Sequence, residues 1–120
     1  MNKVIVNQPD NNQRLIISIK GELDASNCIP AEREFTKAMD SAASSIYVDC
    51  RDLTYISSAG VGVLISLHHS CTQKGIPIYF CGLQPRVLNV FEILGLDHLF
   101  KIESSLDEAE GTTSSSELKS

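Results

Sequence analysis

Apolar residues in this chain recur in short runs whose period switches between strand-like and helix-like. Residues 3–7 (KVIVN) and 14–21 (RLIISIKG) read as strands, and the PDNN between them is turn chemistry, so the pair predicts a hairpin. GELDASN then forms a loop ending in helix-capping residues. A helix is predicted over 28–42, with Asn27 or Ser26 as its cap and Pro30 in its first turn. Ala31, Phe35, Ala38, Met39 and Ala42 share its apolar face, while Glu32, Arg33 and Lys37 lie on a solvated one. SIYVDC (45–50) reads as the third strand and PIYFCG (77–82) as the fourth. A second helix runs to about Lys74, stopped by Gly75. Pro85 opens a third helix that Gly95 closes, and LFKIE (99–103) fits a short edge strand. LDEAE (106–110) fits one more helical turn, and the polar tail GTTSSSELKS (111–120) is expected to be disordered.

Helices between strands imply parallel pairing with right-handed crossovers. Within the strands, Leu15, Ile17 and Ile19 oppose Ile16, Ser18 and Lys20, and Ile46, Val48 and Cys50 oppose Tyr47 and Asp49. Strands covered by helices on both sides are apolar on both faces, and these are not. The predicted fold is therefore α/β: a small mixed, mostly parallel sheet of four to five strands, with helices mainly on one face.

The totals narrow the function. A chain of 120 residues with 42% hydrophobic content suits one domain with one modest core. A net charge of −5 and no long basic cluster disfavour nucleic acid and anionic membrane surfaces as partners. The start of the chain has no apolar run of the signal-peptide kind, and no run approaches the length of a membrane span, so a cytoplasmic location is expected. Cys28, Cys50, Cys71 and Cys81 lie in apolar segments without C-x-x-C spacing, which reads as four reduced core residues.

The chemically suggestive stretch is DLTYISSAGVGVL (52–64), where the third strand gives way to the second helix. A serine there can bond the free N–H groups of the first helical turn, so Ser57 and Ser58 are candidate caps. In parallel α/β folds, the same place is where ligand and partner sites gather. On a helical wheel Gly60, Leu64, Leu67 and Cys71 cluster on the side that should meet the sheet. Ser58, Gly62, Ile65, Ser66 and His69 point the other way. Gly62 costs helix stability of roughly 1 kcal/mol relative to Ala, which a cap alone does not require but a close-approach surface does.

This stretch resembles the signature of STAS-domain proteins of the bacterial anti-sigma factor antagonist type, D-[LV]-x-[FY]-[MI]-D-S-[SA]-G-[LV]-G. GELDA (21–25) and CGLQPRVLNVFEILGLDHLFKI (81–102) match flanking family segments in the right order, so the resemblance spans roughly residues 3–110. It implies a STAS domain over 1–110 and a switch component without catalytic activity or cofactor. In that family the serine matching Ser58 is phosphorylated by a partner with a serine-kinase fold, often the anti-sigma factor itself. The unphosphorylated antagonist binds the anti-sigma factor, phosphorylation breaks the complex, and a PP2C-type phosphatase restores it. The family's common Asp is Ser57 here, which removes a carboxylate and makes Ser57 a second-choice acceptor. The expected contact surface comprises Asp24, Ser57, Ser58, Gly60, Gly62 and Ile65. The same module also resembles subunits that dock on transporters or sit in sensory scaffolds, so the alternative is a non-phosphorylated STAS scaffold or a transporter-associated subunit.

The remaining polar residues have plainer readings. Asp24 resembles a family loop Asp near the phospho-site and is equally a loop or capping residue; Asp52 reads as a turn residue. His68 and His69 are adjacent rather than i, i+4, and His98 is far along the chain, so no metal site is expected. Ser58 has no G-x-S-x-G context or locally placed His, and the phosphate-loop signature is missing, so neither hydrolase nor nucleotide chemistry is expected.

Overall fold

A computed structural model describes residues 2–7, 9, 13–40 and 43–106. Along the chain run β1 (Lys3–Val6), β2 (Arg14–Leu23), α1 (Cys28–Met39), β3 (Ser45–Asp49), β4 (Leu53–Ile56), α2 (Ser58–Lys74), β5 (Ile78–Cys81), α3 (Pro85–Ile93), a single 3₁₀ turn (Leu96–His98) and β6 (Lys101–Glu103). β1 pairs antiparallel with β2, as the hairpin pattern predicts, placing Val4 opposite Ile19 and Val6 opposite Ile17. The other pairings are parallel: Ile17 faces Val48, Val48 faces Phe80, and Phe80 faces Ile102. The main sheet is ordered β1-β2-β3-β5-β6, and β4 lies off this path against the outer end of β2.

β4 is the element that the periodicity does not predict. Its residues were expected to form a connection between a strand and a helix. Instead β3 breaks at Cys50–Asp52 and resumes as β4 beside Gly21–Leu23, so the ten-residue β2 is partnered along one edge by two successive strands. Helix α1 ends at Met39; Ala42, the tail at 111–120 and all but Leu106 of the expected final turn lie outside the described residues.

The core forms on the helix side of the sheet. Leu15, Ile17, Ile19, Ile46, Val48 and Phe80 are buried there with Ala31, Phe35 and Ala38 of α1, Leu64, Leu67 and Cys71 of α2, and Val87 and Phe91 of α3. Phe80 stacks on Phe100 at 4.4 Å between ring centres, and Phe91 meets both edge-on. Each such large side chain contributes about 1.5–3 kcal/mol by leaving water. Gly75, with φ +70°, ends α2 in the left-handed conformation, bonding its N–H to Thr72.

The opposite face holds a smaller cluster. Tyr47, Tyr79 and Cys81 are buried there, Tyr47 and Tyr79 meeting edge-on at 5.2 Å, with Ile16 and Leu106 packed against them. Asp49 is buried at the end of β3 and takes 3.0 and 2.8 Å bonds from the Arg51 guanidinium. Burial alone would push its carboxyl up, but the bonds and charge of Arg51 outweigh this and hold it below the ordinary value.

All four cysteines are free thiols. Cys50, Cys71 and Cys81 are buried, and Cys28 is half-buried at the start of α1. Burial pushes the Cys50 thiol up and that of Cys71 up to about 11, so both stay protonated and unreactive at neutral pH. Among the described residues, no helix is long and apolar enough to cross a membrane.

Candidate functional site

The carboxyl ends of β2 and β4 lie side by side, with Leu23 in register with Ile56. Three bonds tie the two ends together: Gly21 N–H to the Asp52 carbonyl (2.8 Å), Thr54 Oγ1 to the Gly21 carbonyl (3.0 Å) and Ser57 N–H to the Leu23 carbonyl (3.0 Å). Helix α2 begins on this joined edge.

Ser57 and Ser58 divide the work between them. Ser57, extended at φ −95° and ψ 175°, is the N-cap: its Oγ accepts from Gly60 N–H at 3.3 Å, and its carbonyl accepts the first helical bond from Val61 at 2.9 Å. Its hydroxyl is thereby committed and half-buried. Ser58 is the first helical residue, exposed, and its hydroxyl makes no hydrogen bond among the described residues. Gly62, Ile65, Ser66 and His69 continue the exposed face of α2 below it; Ile65 is 39% exposed. A Cβ on Gly62 would meet nothing within 4 Å.

Gly60 departs from the expected contact surface. It is buried, facing β2, where a Cβ would stand 2.3 Å from the Leu23 carbonyl oxygen and 2.9 Å from Ile56 Cγ1. Its hydrogen side chain serves the seating of the helix, and the surface is left to the residues around it.

Asp24 follows Leu23 directly, on a loop closed by its own side chains. Its carboxylate accepts from Ser26 N–H at 2.9 Å and from Ser26 Oγ. Asn27 bridges the loop, accepting from Asp24 N–H at 2.8 Å and donating to the Glu22 carbonyl at 2.7 Å. The side-chain and backbone bonds from Ser26 hold the Asp24 carboxyl below its ordinary value. Asn27 occupies the N-cap position of α1 but makes no side-chain cap bond, because its amide is spent on this loop. Asp52 is an exposed turn residue, 3.9 Å from Lys20 Nζ.

Two features of this edge escaped the sequence reading. Tyr55, 44% exposed on β4, stands three residues before Ser58. Its segment LTYI is buried only at its two ends, so it carries no two-residue alternation to mark it as a strand. Asn27 was legible as a polar cap, but the bridge it makes depends on where Glu22 and Asp24 fall in space. Elsewhere, His68 packs on Phe100 at 4.9 Å, and burial lowers its pKa. Among the described residues, no three His, Cys, Asp or Glu side chains are grouped to hold a metal.

Similarity to known proteins covers nearly the whole fold. The chain is 30% identical over 95 residues to BtrV of Bordetella bronchiseptica, a protein named for an anti-sigma factor antagonist, spanning 79% of this chain and 82% of that one. It is 25% identical over 91 residues to the anti-sigma-B factor antagonist of Staphylococcus aureus, covering 76% and 84% of the two chains. In three dimensions it superposes on the Bacillus anti-sigma factor antagonist SpoIIAA in its unphosphorylated form with a TM-score of 0.78 at 18% identity, covering 94% and 97%. The phosphorylated form of SpoIIAA matches with a TM-score of 0.71 at 18% identity, covering 92% and 99%. The family profile of the STAS domain matches residues 3–109, and the chain belongs to the STAS domain family.

Proposed function

We propose that this protein is a phosphorylation-controlled anti-sigma factor antagonist, a cytoplasmic regulator rather than an enzyme. Unphosphorylated, it binds an anti-sigma factor of the serine-kinase type; phosphorylation of Ser58 releases that partner, and a PP2C-type phosphatase resets the switch. Ser58 with Asp24, Ser57, Gly62 and Ile65 forms the contact surface. The observation that carries the reading is the division between the two serines: Ser57 Oγ is occupied as the helix cap, and the exposed Ser58 hydroxyl has no bond to give up among the described residues.

The physical effect of the phosphate follows from this position. A phosphoserine adds a charge of about −1.5 to −2 and three strong acceptor oxygens. At the first residue of a helix, the free N–H groups and the macrodipole favour that charge, so the fold persists. The cost falls on the complex, where a hydrated dianion must be stripped of water inside a contact surface. A penalty of about 3 kcal/mol lowers affinity by more than 100-fold. The existence of SpoIIAA in both unphosphorylated and phosphorylated forms supports the reading by kinship of fold.

Phosphopeptide mapping after co-expression with the cognate kinase should place the phosphate on Ser58. Titration of that kinase should show wild-type affinity for Ser58→Ala, which blocks phosphorylation, and affinity weakened roughly 100-fold for Ser58→Asp. Equal affinity of the two variants would overturn the mechanism.

A further inference from the structure

We propose that Gly60 is the positioning residue of the Ser58 acceptor; the inference rests on the reading of Ser58 just given. One backbone atom, the Leu23 carbonyl oxygen, does two things at the mouth of α2. It accepts the Ser57 N–H at 3.0 Å, which fixes the residue immediately before Ser58. It also occupies the space that any side chain at position 60 would fill, 2.3 Å from the ideal Cβ position, with the Leu23 carbonyl carbon at 3.0 Å. Real Cβ atoms do not approach an oxygen so closely, and a backbone carbonyl paired within a strand end cannot swing aside as a flexible side chain does. A methyl group at 60 therefore drives the first turn of α2 away from β2. The Ser57–Leu23 bond lies in that gap and opens with it. Because Asp24 is the next residue after Leu23 and stays with β2, the same displacement separates the acceptor from the loop that flanks it.

Gly60 and Gly62 separate cleanly on this account. Both lie in the first turns of α2, but a Cβ on Gly62 meets open space and one on Gly60 meets the sheet. The side chain missing at 60 sets where the Ser58 hydroxyl stands relative to the body of the domain. A reacting hydroxyl displaced by about 1 Å can lose roughly 100-fold in transfer rate, since in-line attack on a phosphoryl group depends on placement.

The test is Gly60→Ala in the full chain, read by two measurements. Amide hydrogen exchange should show Ser57 N–H exchanging roughly tenfold faster relative to the β3 amides, the signature of one opened backbone bond rather than of general loosening. Phosphoryl transfer from the cognate kinase, normalised to folded protein, should lose roughly 100-fold in kcat with a much smaller change in KM. If Gly60→Ala does not fold, Ser57→Pro removes the same N–H without adding bulk at position 60, and should give the same kcat loss beyond that of Ser57→Ala, which loses the Oγ cap but keeps the N–H. Wild-type Ser57 protection together with wild-type kcat would overturn the proposal. So would a slowing of transfer that tracks only the loss of folded protein, or a kcat in Ser57→Pro no lower than that of Ser57→Ala. If the wild-type chain takes no phosphate on Ser58, the reading of Ser58 fails, while the exchange measurement still decides whether Gly60 seats the helix.

Discussion

The mouths of α1 and α2 occupy equivalent places, each following a parallel strand into a crossover helix, yet they are built in opposite ways. At α1 the polar side chains turn inward. Asp24, Ser26 and Asn27 satisfy one another and the loop backbone, and the N-cap residue makes no side-chain cap bond. At α2 one side chain, Ser57, caps the helix, and the next hydroxyl has no hydrogen bond among the described residues. The first mouth spends its polar side chains on itself; the second keeps one exposed hydroxyl without a hydrogen bond among the described residues. The mouth of α3 follows neither plan, since its N-cap residue Gln84 sends its amide across to the Arg51 carbonyl at 2.8 Å. Topology supplies the location, and the choice of two or three side chains decides its use.

Substitutions at the two mouths test this contrast. The largest effect on stability should come from Asn27→Ala, which removes both bridging bonds of the α1 loop and should cost about 2 kcal/mol in denaturant unfolding. Loss of well under about 0.5 kcal/mol would mean that the loop holds its shape without the bridge. Ser57→Ala removes the α2 cap and should cost about 1 kcal/mol, a fall of roughly 3–5 °C in Tm. Ser58→Ala, its immediate neighbour, should stay within about 0.5 kcal/mol of wild type. Equal Tm losses for the two serines would erase the division of labour.

The smallest effect is pH-dependent. The folded Asp24 carboxyl titrates below its ordinary value, so its bonds to Ser26 stabilise the folded chain above the unfolded value of about 3.9. That contribution disappears as pH falls through the lower folded pKa. Carbon-detected NMR titration should find Asp24 below the reference carboxylate and should find the shift reduced in Ser26→Ala. An Asp24 at the reference value would show that the loop is not closed by its carboxylate.

How much of this was legible in the chain depends on the range of the interaction. Alternation in LIISIK and IYVDC assigns Leu15, Ile17, Ile19, Ile46 and Val48 to the helix-covered face, because strand period is a local property. The same alternation leaves Tyr47 on the far side, but not the fact that Tyr47, Tyr79 and Cys81 close into a buried cluster there, which requires the β3–β5 register. β4 was invisible because it is a strand only by virtue of Gly21–Leu23, some thirty residues earlier. The burial of Gly60 was legible only in part. The wheel puts it toward the sheet, but only the approach of the Leu23 carbonyl shows that the position is full. Ser58 was legible because its exposure depends on where a helix starts, which local signals mark.

The reach of β2 has a consequence for how such a domain changes over time. Residues 14–20 are paired with β3 at one end and β1 at the other, with Leu15, Ile17 and Ile19 at most 1% exposed, and the last three residues project beyond them to carry β4. The strand works as a cantilever, its root held by the core and its tip carrying β4 and the start of α2. Exposed residues at the tip can drift toward a new partner while the root still directs folding, so duplicated copies can diverge in allegiance without each relearning how to fold.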